Sequence, residues 1–316
     1  MLARIMLIGT LLTLCACGTS DQNTRDASPD IPRIALVMKS LANEFFKTME
    51  DSARNFQSMN SERFTLIANG IKNEQDVTGQ IALVEQMIAQ EVDALVIAPA
   101  NSQALVRVLR EALDRGIVVV NIDNKLDPAT LKAEGVQIPF IGPDNRAGAK
   151  LAGQHLAKSL DKGDEVAIIG GIPSAFNAMQ RRQGFEDAMN EAGITIVSSQ
   201  AGNWEMTKAN QVAAGILNEH PGLDALLCAN DQMALGAVAA VREAGKQDAV
   251  LVCGYDSISA VQELIKKGEV VCTIDQHGDK LAIFGIEYAL EVLKTGVTPE
   301  DRETSVDLVT AETLAR

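Results

Sequence analysis

The stretch Ile117-Val118-Val119-Val120-Asn121-Ile122-Asp123 is apolar and mostly β-branched until it ends on a carboxylate. A short run with so little polar alternation reads as a strand buried on both faces, as in a parallel sheet covered by helices. Three later runs have the same form: ALLCAN ends at Asn230, VLVCGYD at Asp256 and VVCTIDQ at Gln276. In open parallel α/β sheets, ligands bind in the crevice beyond the carboxyl ends of the strands. Four such ends, each with a carboxylate or amide, predict one polar cleft suited to a small polyhydroxylated molecule. The competing reading is that each residue caps the helix that follows. That reading suits any one position better than it suits the set of four.

Outward from these strands, the chain alternates strand and helix almost throughout. IPRIALVMK (31–39) precedes a helical pattern over 43–55, and RFTLIAN precedes one over 76–90, with Val77, Ile81, Val84, Met87 and Ile88 on one face. VDALVIAP is followed by a helix over 103–115. A longer irregular link, 124–137, leads to IPFIG and the turn Pro143-Asp144-Asn145. The alternation then restarts, with helices over 147–160, 177–192, 206–219, 232–244, 258–267 and 281–295, and a final strand near 305–309. This order predicts an α/β protein of two similar Rossmann-like lobes, each a parallel sheet with helices on both faces. The expected N-terminal lobe spans 32–142 plus 277–306, and the C-terminal lobe spans 143–276 plus 307–316. Three chain crossings, near Gly142–Pro143, Asp275–Gln276 and Val306–Asp307, would form a hinge that permits closure.

The first residues read as an export signal, with Arg4 ahead of an apolar stretch too short to span a membrane. Leu14-Cys15-Ala16-Cys17-Gly18 resembles a bacterial lipobox, which predicts removal of residues 1–16 and lipidation of Cys17. Residues 17–31 are polar and form a tether. Plain secretory cleavage nearby is the alternative. The expected location is the periplasm, with membrane contact only through the lipid. A net charge of −14 argues against nucleic acid as a partner. Beyond Cys15 and Cys17 only Cys228, Cys253 and Cys272 remain, all inside apolar runs and without a C-x-x-C or His-rich neighbourhood. They read as buried free thiols, and neither a metal nor a cofactor is expected.

IALVMKSLANEFF, VDALVIAPAN, VVVNIDNK, CANDQMALGA, CGYDS and TIDQ, in this order, resemble the ribose/allose group of periplasmic sugar-binding proteins of ABC importers. The resemblance covers residues 33–310. It implies a hydroxyl contact from Asn43, aromatic packing on the sugar from Phe45 and Phe46, and a stacking ring on the other face from Trp204. Phe45 is the member of its pair expected to double as core. The resemblance also places Asp123, Asn230, Asp256 and Gln276 on the polar rim. It makes Arg181 a charge-assisted donor, with Arg182 beside it a solvated helix residue. Lys39 and Asn124 stand where ribose proteins carry a small hydroxyl residue and an arginine. Those departures weigh against ribose itself and toward an aldohexose such as allose, or a pentitol or hexitol. For Lys39, a solvent-facing strand end is the alternative.

The expected function is a receptor that captures a monosaccharide or sugar alcohol between two lobes and delivers it, as a monomer, to an inner-membrane ABC permease. An enzyme is disfavoured: no nucleophile elbow, phosphate loop or dinucleotide fingerprint is present, and His155, His220 and His277 are scattered. The chain carries a signal-like segment where a sugar-responsive repressor would carry a helix-turn-helix. The open alternative is a sensor partner of a chemoreceptor or sensor kinase that binds a sugar or a furanosyl signal.

Overall fold

The computed structural model describes residues 31–316. The expected signal segment, Cys17 and most of the expected tether lie outside the described residues. The first sheet grows outward from β1 (Arg33–Met38), flanked by β2 (Thr65–Gly70) and β3 (Ala94–Ile97). It continues through β4 (Val118–Ile122) and β5 (Phe140–Pro143), every pair parallel. The second sheet takes β6 (Glu165–Gly170), β7 (Thr195–Ala201), β8 (Ala225–Cys228) and β9 (Leu251–Cys253) in the parallel order β7-β6-β8-β9. β10 (Thr273–Asp275) follows, joined to β9 by a parallel bridge between Cys253 and Cys272. β11 (Arg302–Thr304) returns to the first sheet beside β5, and β12 (Asp307–Val309) pairs antiparallel with β10. The chain thus passes between the two sheets three times: after Pro143, between Asp275 and Gly278, and between Thr304 and Asp307.

Eleven helices fill the connections of the described residues. Around the first sheet lie α1 (Glu44–Ser58), α2 (Val77–Ala89), α3 (Val106–Asp114) and α4 (Pro128–Glu134). Around the second lie α5 (Asn145–Leu156), α6 (Phe176–Ala192), α7 (Met206–Glu219), α8 (Asp231–Glu243) and α9 (Ser259–Lys266). α10 (Gly278–Thr295) packs on β3, β4 and α1, and α11 (Ala311–Leu314) closes the chain under a Thr310 capping box.

Side-chain alternation explains why both faces of the first sheet are covered. Ile34, Leu36 and Met38 pack with Phe46, Met49, Leu281 and Ile286, whereas Ala35 and Val37 pack with Val84, Met87, Leu105 and Leu109. A strand with period two and apolar residues at every position must bury both faces. Around the second sheet, α5 pairs with α6 and α7 with α8. A Cβ at Gly184 would meet the Arg146 carbonyl at 2.2 Å, and one at Gly236 would meet the Met206 carbonyl at 2.2 Å, so glycine sets these close approaches.

The α/β class with two parallel sheets flanked by helices is as expected. Three local details differ. The link 124–137 contains α4, which starts under Asp127 with Pro128 at its first position and stops at Gly135 in the left-handed conformation. The final strand divides into β11 and β12 because the chain changes sheets at Ser305–Val306. α11 was not anticipated. Cys228, Cys253 and Cys272 are buried and free; burial pushes the Cys228 thiol well up, so it is a poor nucleophile.

Candidate functional site

The carboxyl ends of both sheets face one cavity. Lys39, Asn43, Phe45, Phe46 and Asp123 line it from the first sheet, and Arg181, Trp204, Asn230, Asp256 and Gln276 from the second. Glu74, after β2, and Asn177, at the start of α6, line it as well and were missed.

On the first-sheet side, the Lys39 ammonium lies 2.9 Å from Asp123 Oδ2. The approach is an ion pair by distance but is not aligned as a hydrogen bond, so that oxygen keeps acceptor capacity. Lys39 is buried, which removes the solvent-facing alternative; its Nζ lies 5.3 Å from the Phe46 ring centre and 5.8 Å from that of Trp204. Phe45 and Phe46 meet edge to face at 5.1 Å, and both serve core and cavity at once. Asn43 caps α1 by accepting from the Phe45 N–H at 3.1 Å, and its Nδ2 donates to Glu74 Oε1 at 3.3 Å. Burial raises the Glu74 carboxyl to about 7, against the opposing pull of Lys39 and Asn43.

On the second-sheet side, Arg181 organises the wall. Its Nε donates to Asn145 Oδ1 at 2.7 Å, Nη1 to the Ala229 carbonyl at 2.9 Å and to Asp256 Oδ1 at 3.4 Å, and Nη2 to Gln276 Oε1 at 3.3 Å. The guanidinium lies 3.7 Å from the Tyr255 ring centre and 5.6 Å from that of Trp204. Gln276 completes the loop by donating to Asp256 Oδ1 at 2.7 Å. Burial drives the Asp256 carboxyl well up, opposed by Arg181. Asn230 lines the cavity and also caps α8 through the Met233 N–H at 2.9 Å, so the cleft and capping readings are both true of it. Arg182 is solvated and paired with Glu186.

Asp231, the residue after Asn230, was also missed. It is fully buried and accepts from the Ile258 N–H at 2.9 Å and Thr273 Oγ1 at 2.7 Å. Its own N–H donates to the Tyr255 carbonyl at 2.7 Å. It therefore ties the ends of β8, β9 and β10 together and positions Asn230 and Asp256. Burial raises its carboxyl to about 7. Positive φ angles gather here too: Asp123 at 62°, Trp204 at 69° and Asp256 at 130°. L-residues adopt such conformations at a cost of about 1–3 kcal/mol, and they cluster where geometry serves a ligand.

Asn124 departs from expectation and does not line the cavity. Its Nδ2 donates to the Pro99 carbonyl at 2.9 Å, and its Oδ1 accepts from the Asn177 N–H at 3.1 Å. With Asp123 in the left-handed conformation, the next side chain turns away from the cavity toward the rim. There Ser102 Oγ accepts from the Phe176 N–H at 3.0 Å, and on another part of the rim Glu44 Oε1 accepts from the Ser259 N–H at 2.8 Å. These bonds close the two sheets' layers over the cavity. His277 lies off the lining, 2.9 Å from Asp307 at a crossing between the sheets. Among the described residues no cluster suits a metal ion, and no helix is long and apolar enough to cross a membrane.

A parallel-sheet pair whose strand ends converge on a polar, aromatic-walled cavity is the architecture of solute receptors. The chain belongs to the periplasmic binding protein domain family, whose profile matches residues 34–296. A D-ribose/D-allose-binding protein of Pseudomonas aeruginosa is 55% identical over 98% of both chains. An ABC transporter solute-binding protein of Burkholderia multivorans, solved with an unknown ligand, is 54% identical with a TM-score of 0.87, covering 89% of this chain and 99% of that one. One from Actinobacillus succinogenes with bound D-allose is 36% identical with a TM-score of 0.84, covering 89% and 98%.

Proposed function

We propose that this chain is the sugar receptor of an ABC importer, taking an aldose of the ribose/allose type or a related sugar alcohol into the cavity and releasing it to the permease by hinge opening. The observation that carries this is the lining itself. Charged and amide groups from both sheets surround a space flanked by Phe45, Phe46 and Trp204. Aromatic faces take the C–H side of a pyranose while carboxylates and amides take its hydroxyls. Lys39, Asn43, Phe45, Phe46, Asp123, Arg181, Trp204, Asn230, Asp256 and Gln276 are the proposed contacts. Lys39 in place of a small hydroxyl residue favours an aldohexose over ribose. The proposed lobes are 32–142 with 277–306, and 143–276 with 307–316. The proposed anchor is a lipid on Cys17, with the folded part in the periplasm. No bond is made or broken. Binding to both lobes favours the closed state by its differential affinity.

Thermal melting of residues 31–316 against aldopentoses, aldohexoses, pentitols and hexitols tests the reading. A ligand at about 100 times its Kd stabilises the fold by about 2.7 kcal/mol. A selective upward shift with D-allose or a near relative is expected. No shift across the panel would overturn the sugar assignment.

A further inference from the structure

Glu74 sits in the connection between β2 and α2, 3% exposed, and lines the cavity. The connection is pinned on both sides of it: Asn73 Oδ1 accepts from the Gln75 N–H at 3.1 Å, and Asp76 caps α2 through the Gly79 N–H at 2.9 Å. Burying a carboxyl is costly unless a partner compensates it. Among the described residues Glu74 forms no ion pair, since the Lys39 ammonium pairs with Asp123 instead. Its hydrogen bond is the one that Oε1 accepts from Asn43 Nδ2 at 3.3 Å.

The Asn43 side chain is thereby held at both ends. The Phe45 N–H can only donate, so the cap of α1 selects the Asn43 oxygen, and Oδ1 accepts there at 3.1 Å. One anchor leaves a carboxamide free to turn about that bond. Glu74, an acceptor whether ionised or protonated, takes the nitrogen end and fixes the plane. An amide nitrogen carries two N–H groups. The second N–H of Nδ2 has no acceptor among the described residues, and Asn43 lines the cavity. Both side chains and both anchors belong to segments that follow β1 and β2, so the arrangement is complete on the first sheet's side.

We propose that Glu74 is a positioning residue for sugar recognition, holding the Asn43 carboxamide so that its second N–H donates to a hydroxyl oxygen of the bound sugar. This rests on the sugar-receptor reading above. The role asks for a hydrogen-bond acceptor at residue 74 and not for a charge.

The test is a double-mutant cycle at residues 43 and 74, read by calorimetric titration with D-allose. Glu74→Leu removes the acceptor and should lower affinity roughly three- to tenfold, the scale of one net hydrogen bond. Glu74→Gln restores a carbonyl acceptor and should recover most of that loss. Asn43→Ser keeps an oxygen to cap α1 but has no carboxamide to orient. In that background Glu74→Leu should cost no further affinity. An equal loss in both backgrounds would make residue 74 a packing element and overturn the inference. Unchanged affinity in Glu74→Leu would overturn it as well, as would a Gln variant as weak as the Leu one. If Glu74→Leu does not fold, Glu74→Gln decides against Asn43→Ser: affinity well above that variant supports the acceptor role, and affinity as low overturns it. Should wild type bind no sugar of the melting panel, the receptor reading fails first and this inference with it; failure of the cycle alone leaves that reading standing.

Discussion

The Lys39 ammonium and the Asp123 carboxylate stand 2.9 Å apart, with their side chains 4% and 2% exposed. Removing one partner of a buried pair leaves an uncompensated charge and costs about 3–5 kcal/mol, whereas removing both is far milder. Asp123→Ala should therefore lose about that much stability in urea unfolding. Adding Lys39→Met should recover most of it. Neither protein should bind D-allose. An Asp123→Ala variant as stable as wild type would contradict the burial of this pair.

Glu74 predicts a pH dependence with a definite sign. Its carboxyl is raised from 4.5 to about 7 in the folded protein, chiefly by burial, with Asp123 and Glu205 adding to the rise. Between roughly pH 4.5 and 7 the folded state holds a proton that the unfolded chain has released. Stability from this group is full below that window, falls as pH rises through it by about 3 kcal/mol, and levels off above. Asp231, also raised to about 7, contributes with the same sign. Glu74→Gln should flatten the fall and be the more stable protein at pH 7.5. Denaturant melts at five pH values decide it; parallel curves for the two proteins would refute the assignment.

Glu44 reaches across the rim to the Ser259 N–H at the start of α9, where Ile258 provides no side-chain cap. A lost cap costs about 0.5–2 kcal/mol, and here the cost falls on the closed form. Glu44→Ala should weaken D-allose binding by a factor of roughly 2 to 30, through faster release, with little change in the melting temperature of the sugar-free protein. Equal losses in both would mean the bond is present in every state.

Gly171 offers a remote test of Trp204. A Cβ there would fall 2.0 Å from the indole ring, so alanine must displace it. Gly171→Ala should cost binding comparably to Trp204→Ala, on the order of 1–3 kcal/mol, although residue 171 is not on the lining. Calorimetry on both variants checks this, and wild-type affinity in Gly171→Ala would show that the ring need not hold its position.

The parts of the site legible in the sequence were those carried by backbone regularity. Asp123, Asn230, Asp256 and Gln276 follow β-branched runs, and a parallel strand delivers whatever follows it to one edge of the sheet. The same rule applied to β2 points into the loop that carries Glu74. The i, i+4 spacing from Arg181 points back to Asn177 on the same helical face. Asn124 was misread because adjacency to Asp123 says nothing of direction once the backbone enters the left-handed region. Trp204 lies in a loop at φ 69°, where no period exists to read, and only resemblance marked it. Asp231 hid behind its neighbour: a polar pair at a strand end does not disclose which member faces the cavity and which holds the scaffold.

Trp204 is the chain's single tryptophan, 5% exposed, with the Lys39 ammonium and the Arg181 guanidinium each within 6 Å of its ring. All indole fluorescence of the molecule thus originates at one wall of the cleft, beside two charges that quench or shift it according to their distance. A ligand entering the cleft should therefore register as a change in the emission of the unlabelled chain.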